Sequence, residues 1–200
     1  MNKSMGINSK VDERLRNAIA DFSKITADEA LSEFLALIDL GCDQAFSFVG
    51  NIYECGGRNV GRDYAKARFY YEKSVETVGS VAAYLGLIRL YYYGLGVESD
   101  YKKAFEYCCN LSEKTDDPYA NFYLGRMYMD GCFVAKDLEK AMHYFKRSWV
   151  KGYVFGLTYL GICFQKKGRN VRGWVIRMKA GLSAYRIARK DIGDWRIRQL

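Results

Sequence analysis

One order of residues occurs three times in this chain at a nearly constant period, and it decides what the chain can fold into. The order is a small residue, a second small residue five positions on, then Tyr, Gly, Asp and Ala, and a closing Ser or Leu. The first copy reads Ala45, Gly50, Tyr53, Gly56, Asp63, Ala67, Ser74. The second reads Ala83, Ile88, Tyr91, Gly94, Asp100, Ala104, Leu111, and the third Ala120, Gly125, Tyr128, Gly131, Asp137, Ala141, Ser148. The leading alanines are 38 and 37 residues apart. A degraded fourth copy keeps Gly156, Gly161 and Phe164, with its turn glycine one residue late at Gly168. A half copy leads the array with Asp28, Ala30, Leu37 and Gly41.

Each position has a physical reason to recur. Each copy holds two apolar segments with 3–4 spacing, which predicts two helices joined by a turn. Ala and Gly at the first two positions let helices cross closely. Gly56, Gly94 and Gly131 stand where a helix ends in a left-handed residue. Asp63, Asp100 and Asp137 stand where the second helix needs an N-cap. Ala67, Ala104 and Ala141 face inward in its first turns. Tyr70, Tyr107 and Tyr144 are expected to fill the groove against the neighbouring unit. Such a pair cannot bury its apolar face alone, so the copies must stack. The expected fold is all-α: an α/α solenoid, a right-handed superhelix of helix-turn-helix repeats.

In this reading residues 1–24 form an N-terminal cap, with Val11, Leu15, Ala18, Phe22 and Ile25 on one helical face. Residues 25–165 form the array: a half unit at 25–41, units at about 42–79, 80–117 and 118–152, and the start of the fourth. Residues 166–200 form a basic capping helix and tail, all within one folded domain. Thr26 and Glu29 have the form of a capping box.

Two stretches carry a family resemblance. "AYLGLIRLYYYGLGVESDYKKAFEYC" (83–108) and "ANFYLGRMYMDGCFVAKDLEKAMHYFKRS" (120–148) resemble Sel1-like repeats, relatives of the tetratricopeptide repeat with a slightly longer unit. The chain departs from the pattern at Ile88 in place of a small residue, at Gly57, which lengthens the first turn, and in the fourth unit, which lacks its Asp. The resemblance implies a scaffold or adaptor that binds another protein along the concave face; in bacteria such proteins serve signalling, virulence or envelope-polysaccharide systems. Secreted, cysteine-rich members staple each helix pair with a disulfide. Here no pair of the six cysteines (Cys42, Cys55, Cys108, Cys109, Cys132, Cys163) repeats in that way. With no apolar core of signal-peptide length near the N-terminus, and a longest apolar run of 17 residues that includes Arg89, the expectation is a cytoplasmic chain with reduced thiols.

Catalytic chemistry finds little support. The single histidine, His143, has no second histidine to work with and reads as a partly buried helix residue. No GxxxxGK[ST] loop, GxSxG elbow or HExxH pair occurs. "GLGVESD" (94–100) joins two predicted helices and reads as a turn. Asp116 and Asp117 read as solvated turn residues before Pro118. No cofactor, metal or small-molecule substrate is expected.

Two candidate binding surfaces remain. If the first helix of each pair lines the concave side, Asn51, Arg89 and Arg126 form a ladder there for a protein partner. The second surface is electrostatic. Of 31 Lys and Arg residues, 11 lie in residues 166–200 against two acids there, Asp191 and Asp194, so this segment carries +9 while the rest of the chain carries −1. Arg172, Arg177, Lys179, Arg186, Arg189 and Lys190 form its patch. Trp174, Val175, Met178, Leu182 and Tyr185, with Ile192 and Trp195 beyond, are expected to close the solenoid with an apolar face. The cationic face would then cap the fold, or dock on an acidic protein, an anionic membrane surface or nucleic acid.

Overall fold

The computed structural model describes residues 2–191, 193, 194 and 196, with side chains from residue 9 onward; Ile192, Trp195 and Arg198 lie outside the described residues. Among the described residues all regular structure is helical apart from one isolated bridge between Gly57 and Val60. The chain divides into two compact units, residues 1–99 and 100–200, so the division falls in the turn of the second copy.

The first unit contains α1 (Asn2–Asp21), α2 (Ala27–Asp39), a 3₁₀ turn (Asp43–Ala45), α3 (Phe46–Cys55), α4 (Tyr64–Val78) and α5 (Val81–Tyr93). Ala18 on α1 is buried, and Val11 and Leu15 on α1, with Phe22 and Ile25 in the turn beyond its end, pack on the core formed by Phe34, Leu37, Ala45, Val49 and Ile52. Phe34 stacks on Phe48 at 4.7 Å and meets Phe22 edge-on at 5.6 Å. The Glu29 carboxylate accepts the Thr26 N–H at 2.9 Å and its hydroxyl at 2.8 Å, which starts α2.

The second unit contains α6 (Tyr101–Thr115), α7 (Pro118–Asp130), α8 (Leu138–Val150), α9 (Val154–Lys166) and α10 (Asn170–Ala188). Its centre is aromatic: Phe122 lies 5.2 Å from Tyr153 and 5.8 Å from Phe145, and Phe145 lies 5.3 Å from Tyr159.

Local chemistry follows the repeat. Asp63, Asp100 and Asp137 accept the backbone N–H of Lys66, Lys103 and both Glu139 and Lys140, at 2.9–3.0 Å. The glycines that end α5 and α7, Gly94 and Gly131, adopt φ of 67° and 80°, a region costly for other residues. Ala45, Ala67, Ala83, Ala104, Ala120 and Ala141 are wholly buried.

The structure corrects four expectations. Tyr70 and Tyr144 are not the wedges at the glycine crossings. Tyr70 stacks on Tyr53 (5.8 Å, 12°) and Tyr144 on Tyr128 (5.7 Å, 6°), each within its own helix pair. The wedge is the next residue, Tyr71 or Phe145. A Cβ at Gly50 would come within 2.6 Å of the Tyr71 ring, one at Gly86 within 2.3 Å, and one at Gly125 within 2.7 Å of the Phe145 ring. Asp116 and Asp117 are not solvated turn residues. Asp116 ends α6 with φ 52° and binds Asn121 (2.9 Å), Lys151 (3.1 Å) and Arg147, while Asp117 caps α7 through the N–H groups of Tyr119 and Ala120. His143 is exposed on α8 rather than partly buried, its ring 5.6 Å from that of Tyr144.

The fourth correction concerns α10. Its inward face consists of Gly173, Ile176, Ala180, Ala184 and Ile187, packed on α9. Gly161 and Gly173 mark the crossing: a Cβ on Gly173 would stand 2.5 Å from the Gly161 carbonyl oxygen. The bulky residues Trp174, Val175, Met178, Leu182 and Tyr185 are exposed instead. Small residues won the interface because they allow the backbones to approach. As the missing Asp foretold, α10 begins at Arg169 without a side-chain cap.

Candidate functional site

Three helices of the first unit converge on a pocket. In α3, Ser47, Phe48 and Asn51 share one face; in α5, Ala82, Leu85 and Arg89 share another, at the 3–4 spacing that aligns side chains. Together with Phe22 and Tyr71 these residues enclose about 260 Å³. Two of the three residues of the expected ladder, Asn51 and Arg89, are therefore neighbours at one rim. The third, Arg126, belongs to the second unit, where its guanidinium lies 5.9 Å from the centre of the Tyr159 ring.

The polar side of the pocket is held by a carboxylate that sequence reasoning did not single out. Glu54 receives two hydrogen bonds from Arg89, Nε at 2.8 Å and a terminal nitrogen at 2.7 Å, and the Tyr71 hydroxyl donates to it at 2.6 Å. The Arg89 and Glu54 side chains are 17% and 10% exposed. This fork-to-fork pairing fixes the guanidinium plane, so Arg89 is a rigid wall and not a free surface cation. Burial, and then the adjacent Glu54 charge, push the Tyr71 phenol far above its ordinary range, so it remains a protonated donor. The only earlier signal of Glu54 was its place three residues after Asn51, one turn along the same helix face.

The pocket thus has an aromatic wall (Phe22, Phe48, Tyr71), an aliphatic side (Ala82, Leu85) and a polar rim (Ser47, Asn51, Arg89). It suits a mid-sized apolar side chain with a hydrogen-bonding backbone beside it. Elsewhere the ingredients of nucleophilic chemistry are weak. All six cysteines are free. Burial raises each thiol above its ordinary value, Cys163 to about 11, opposite to the shift that activates a cysteine. Among the described residues no group of three or more His, Cys, Asp or Glu side chains could hold a metal ion. Among them, too, no helix is long and apolar enough to cross a membrane.

The sequence profile of the Sel1 repeat matches residues 45–76, 80–113 and 118–148, the three copies in register with the glycines, aspartates and alanines described above. The chain belongs to the Sel1 repeat family. Solved structures agree on the fold. A Sel1 repeat protein from Oxalobacter formigenes aligns with a TM-score of 0.65 at 22% identity, over 84% of this chain and 70% of that one. The c5321 protective antigen of uropathogenic Escherichia coli, which displays an SLR fold, aligns with a TM-score of 0.64 at 24% identity, over 83% of this chain and 37% of that one. The fold class is therefore the α/α solenoid of Sel1 repeats. Over 102 residues, half of this Sel1 protein, the sequence is 35% identical to the ERAD-associated E3 ubiquitin-protein ligase component HRD3B of Arabidopsis thaliana. The matched region spans only 15% of that relative's length.

The six cations of the expected C-terminal patch lie on α10 or just after it. Arg172 stacks over the Phe164 ring at 4.5 Å and Arg177 donates to Gln165 at 3.2 Å. Lys179, Arg186, Arg189 and Lys190 are exposed.

Proposed function

We propose that this Sel1 repeat protein is a non-enzymatic interaction scaffold whose partner, another protein, runs along the face of the first helices of the repeats and seats an apolar side chain between α3 and α5. The observation that carries this reading is the pocket rimmed by Asn51 and the Arg89–Glu54 pair: a preformed aromatic wall beside fixed polar groups, with no activated nucleophile at hand. Helical repeat proteins generally mediate protein–protein interaction through extended surfaces, and a relative named as a component of a ligase supports an assembling role. The same reading places the protein in the reducing cytoplasm, supported by six unbridged thiols.

The test is a photocrosslinking residue installed at Asn51, with a control at the exposed Glu106. The expected outcome is one specific crosslinked partner from position 51 alone, abolished by Ala82→Arg, which fills the pocket mouth from an exposed position. Equal crosslinking from position 106, or a crosslink that survives Ala82→Arg, would remove the pocket from the recognition surface.

A further inference from the structure

The helix α10 carries two apolar faces on opposite sides, and only one is used. The small face lies on α9. The other is a stripe of Val171, Trp174, Val175, Met178, Leu182 and Tyr185, spaced 3, 1, 3, 4 and 3 residues apart, which keeps all six within an arc of about 100°. They are far from incidental surface exposure: Val171 is 79% exposed, Trp174 59%, Met178 57% and Tyr185 61%. A continuous apolar stripe of this kind marks an interaction surface.

What flanks the stripe identifies its occupant. Arg172, Lys179, Arg186 and Lys190 fall along one edge at helical spacing, Arg177 lies on the other, and Arg189 ends the stripe. Between Asn170 and Lys190 there is no Asp or Glu. The described residues give Lys179, Arg186, Arg189 and Lys190 no carboxylate partner. Trp and Tyr with Met, Leu and Val between rows of cations is the composition of a helix that lies in a bilayer interface, where aromatic rings sit at headgroup depth and basic side chains reach the phosphates. Nucleic acid accounts for the cations but not for six exposed apolar side chains, and a protein groove gives no reason for cations alone over 21 residues. Beside the stripe, Thr158, Trp174, Arg177, Met178 and Gly181 line an open groove of about 470 Å³.

We propose that α10 is a peripheral membrane anchor, which lays its Val171–Tyr185 stripe into the headgroup region of an anionic bilayer while its Gly173–Ile187 face holds the repeat array. This surface is separate from the α3–α5 pocket, so either assignment can fail without the other.

The experiment is flotation of the full chain with vesicles of phosphatidylcholine alone and of phosphatidylcholine with phosphatidylserine. The expected result is binding at least about tenfold stronger to the anionic vesicles, weakened by salt. Met178→Glu with Leu182→Glu should abolish it, and Lys179→Glu with Arg186→Glu should weaken it strongly. Both pairs alter exposed side chains, and circular dichroism melts verify that each folds; the second pair leaves the apolar stripe intact if the first does not fold. Several results would overturn the anchor: equal or no binding to the two vesicle types, or anionic binding unchanged in a folded double variant. So would a dimer in sedimentation that Met178→Glu with Leu182→Glu dissolves while vesicles stay unbound, since the stripe would then be covered by a second copy. Binding to duplex DNA that outcompetes vesicles and survives Met178→Glu with Leu182→Glu would assign the charges to nucleic acid.

Discussion

At the scale of single residues, the informative contacts are those in which one side chain serves two partners. Glu54 receives both Arg89 and Tyr71. Replacing it with Leu takes the fork-to-fork carboxylate away from a largely buried guanidinium and is expected to cost about 3 kcal/mol. Glu54→Leu with Arg89→Leu should recover part of that loss, and urea denaturation of the three proteins measures both. Gly125→Val should cost roughly 1–3 kcal/mol by pressing on the Phe145 ring; an unchanged melting temperature would mean that the α7–α8 crossing is looser than described. Asp116 gives a pH signature. Burial pushes its carboxyl up, but hydrogen bonds from Asn121, Lys151 and Arg147 outweigh this and hold it below the usual range. Its stabilising contribution is therefore present above the unfolded value, about 4, and is lost as pH falls through the folded one. Asp116→Asn tolerates the left-handed backbone and should flatten the acid limb of the stability–pH curve, as followed by thermal melts. Of the α3–α5 pocket, only Asn51 and Arg89 were legible in the sequence. Arg89 was seen, but its partner lies 35 residues earlier, beyond any local pattern. Tyr71 was passed over for Tyr70 because adjacent aromatics look alike in sequence, and only packing tells which one points between helices.

At the scale of the helix, what was readable was what is local. Caps and turn glycines act within a few residues of themselves, so Asp63, Asp100 and Asp137 could be placed from spacing alone. Each should cost about 1 kcal/mol when replaced by Ala, measurable as a lowered melting temperature. The helix α10 misled for the opposite reason. Hydrophobicity favours its Trp174–Tyr185 side as the buried one, whereas close approach at Gly161 and Gly173 selected the small side. It also begins on Arg169, a cation at the positive end of the helix dipole with no capping acceptor. Arg169→Asp should supply both missing elements and raise stability by about 1 kcal/mol. A fall in melting temperature would show that Arg169 is engaged elsewhere.

At the scale of the molecule, the copies look interchangeable and are not. Tyr71 occupies the space left by Gly50 behind it and Gly86 ahead of it. The positions that correspond to Gly86 in the next two copies are Tyr123 and Tyr159. A shortened chain that joined the first copy directly to the third would set Tyr123 against the Tyr71 ring, where Gly86 now leaves no room for even a Cβ. The third and fourth copies solve the same contact differently, with Phe145 against Tyr159 at 5.3 Å, so side-chain size is matched interface by interface along the array. A one-copy deletion should be insoluble on its own and rescued by Tyr123→Gly, which makes the order of the repeats part of the inherited message.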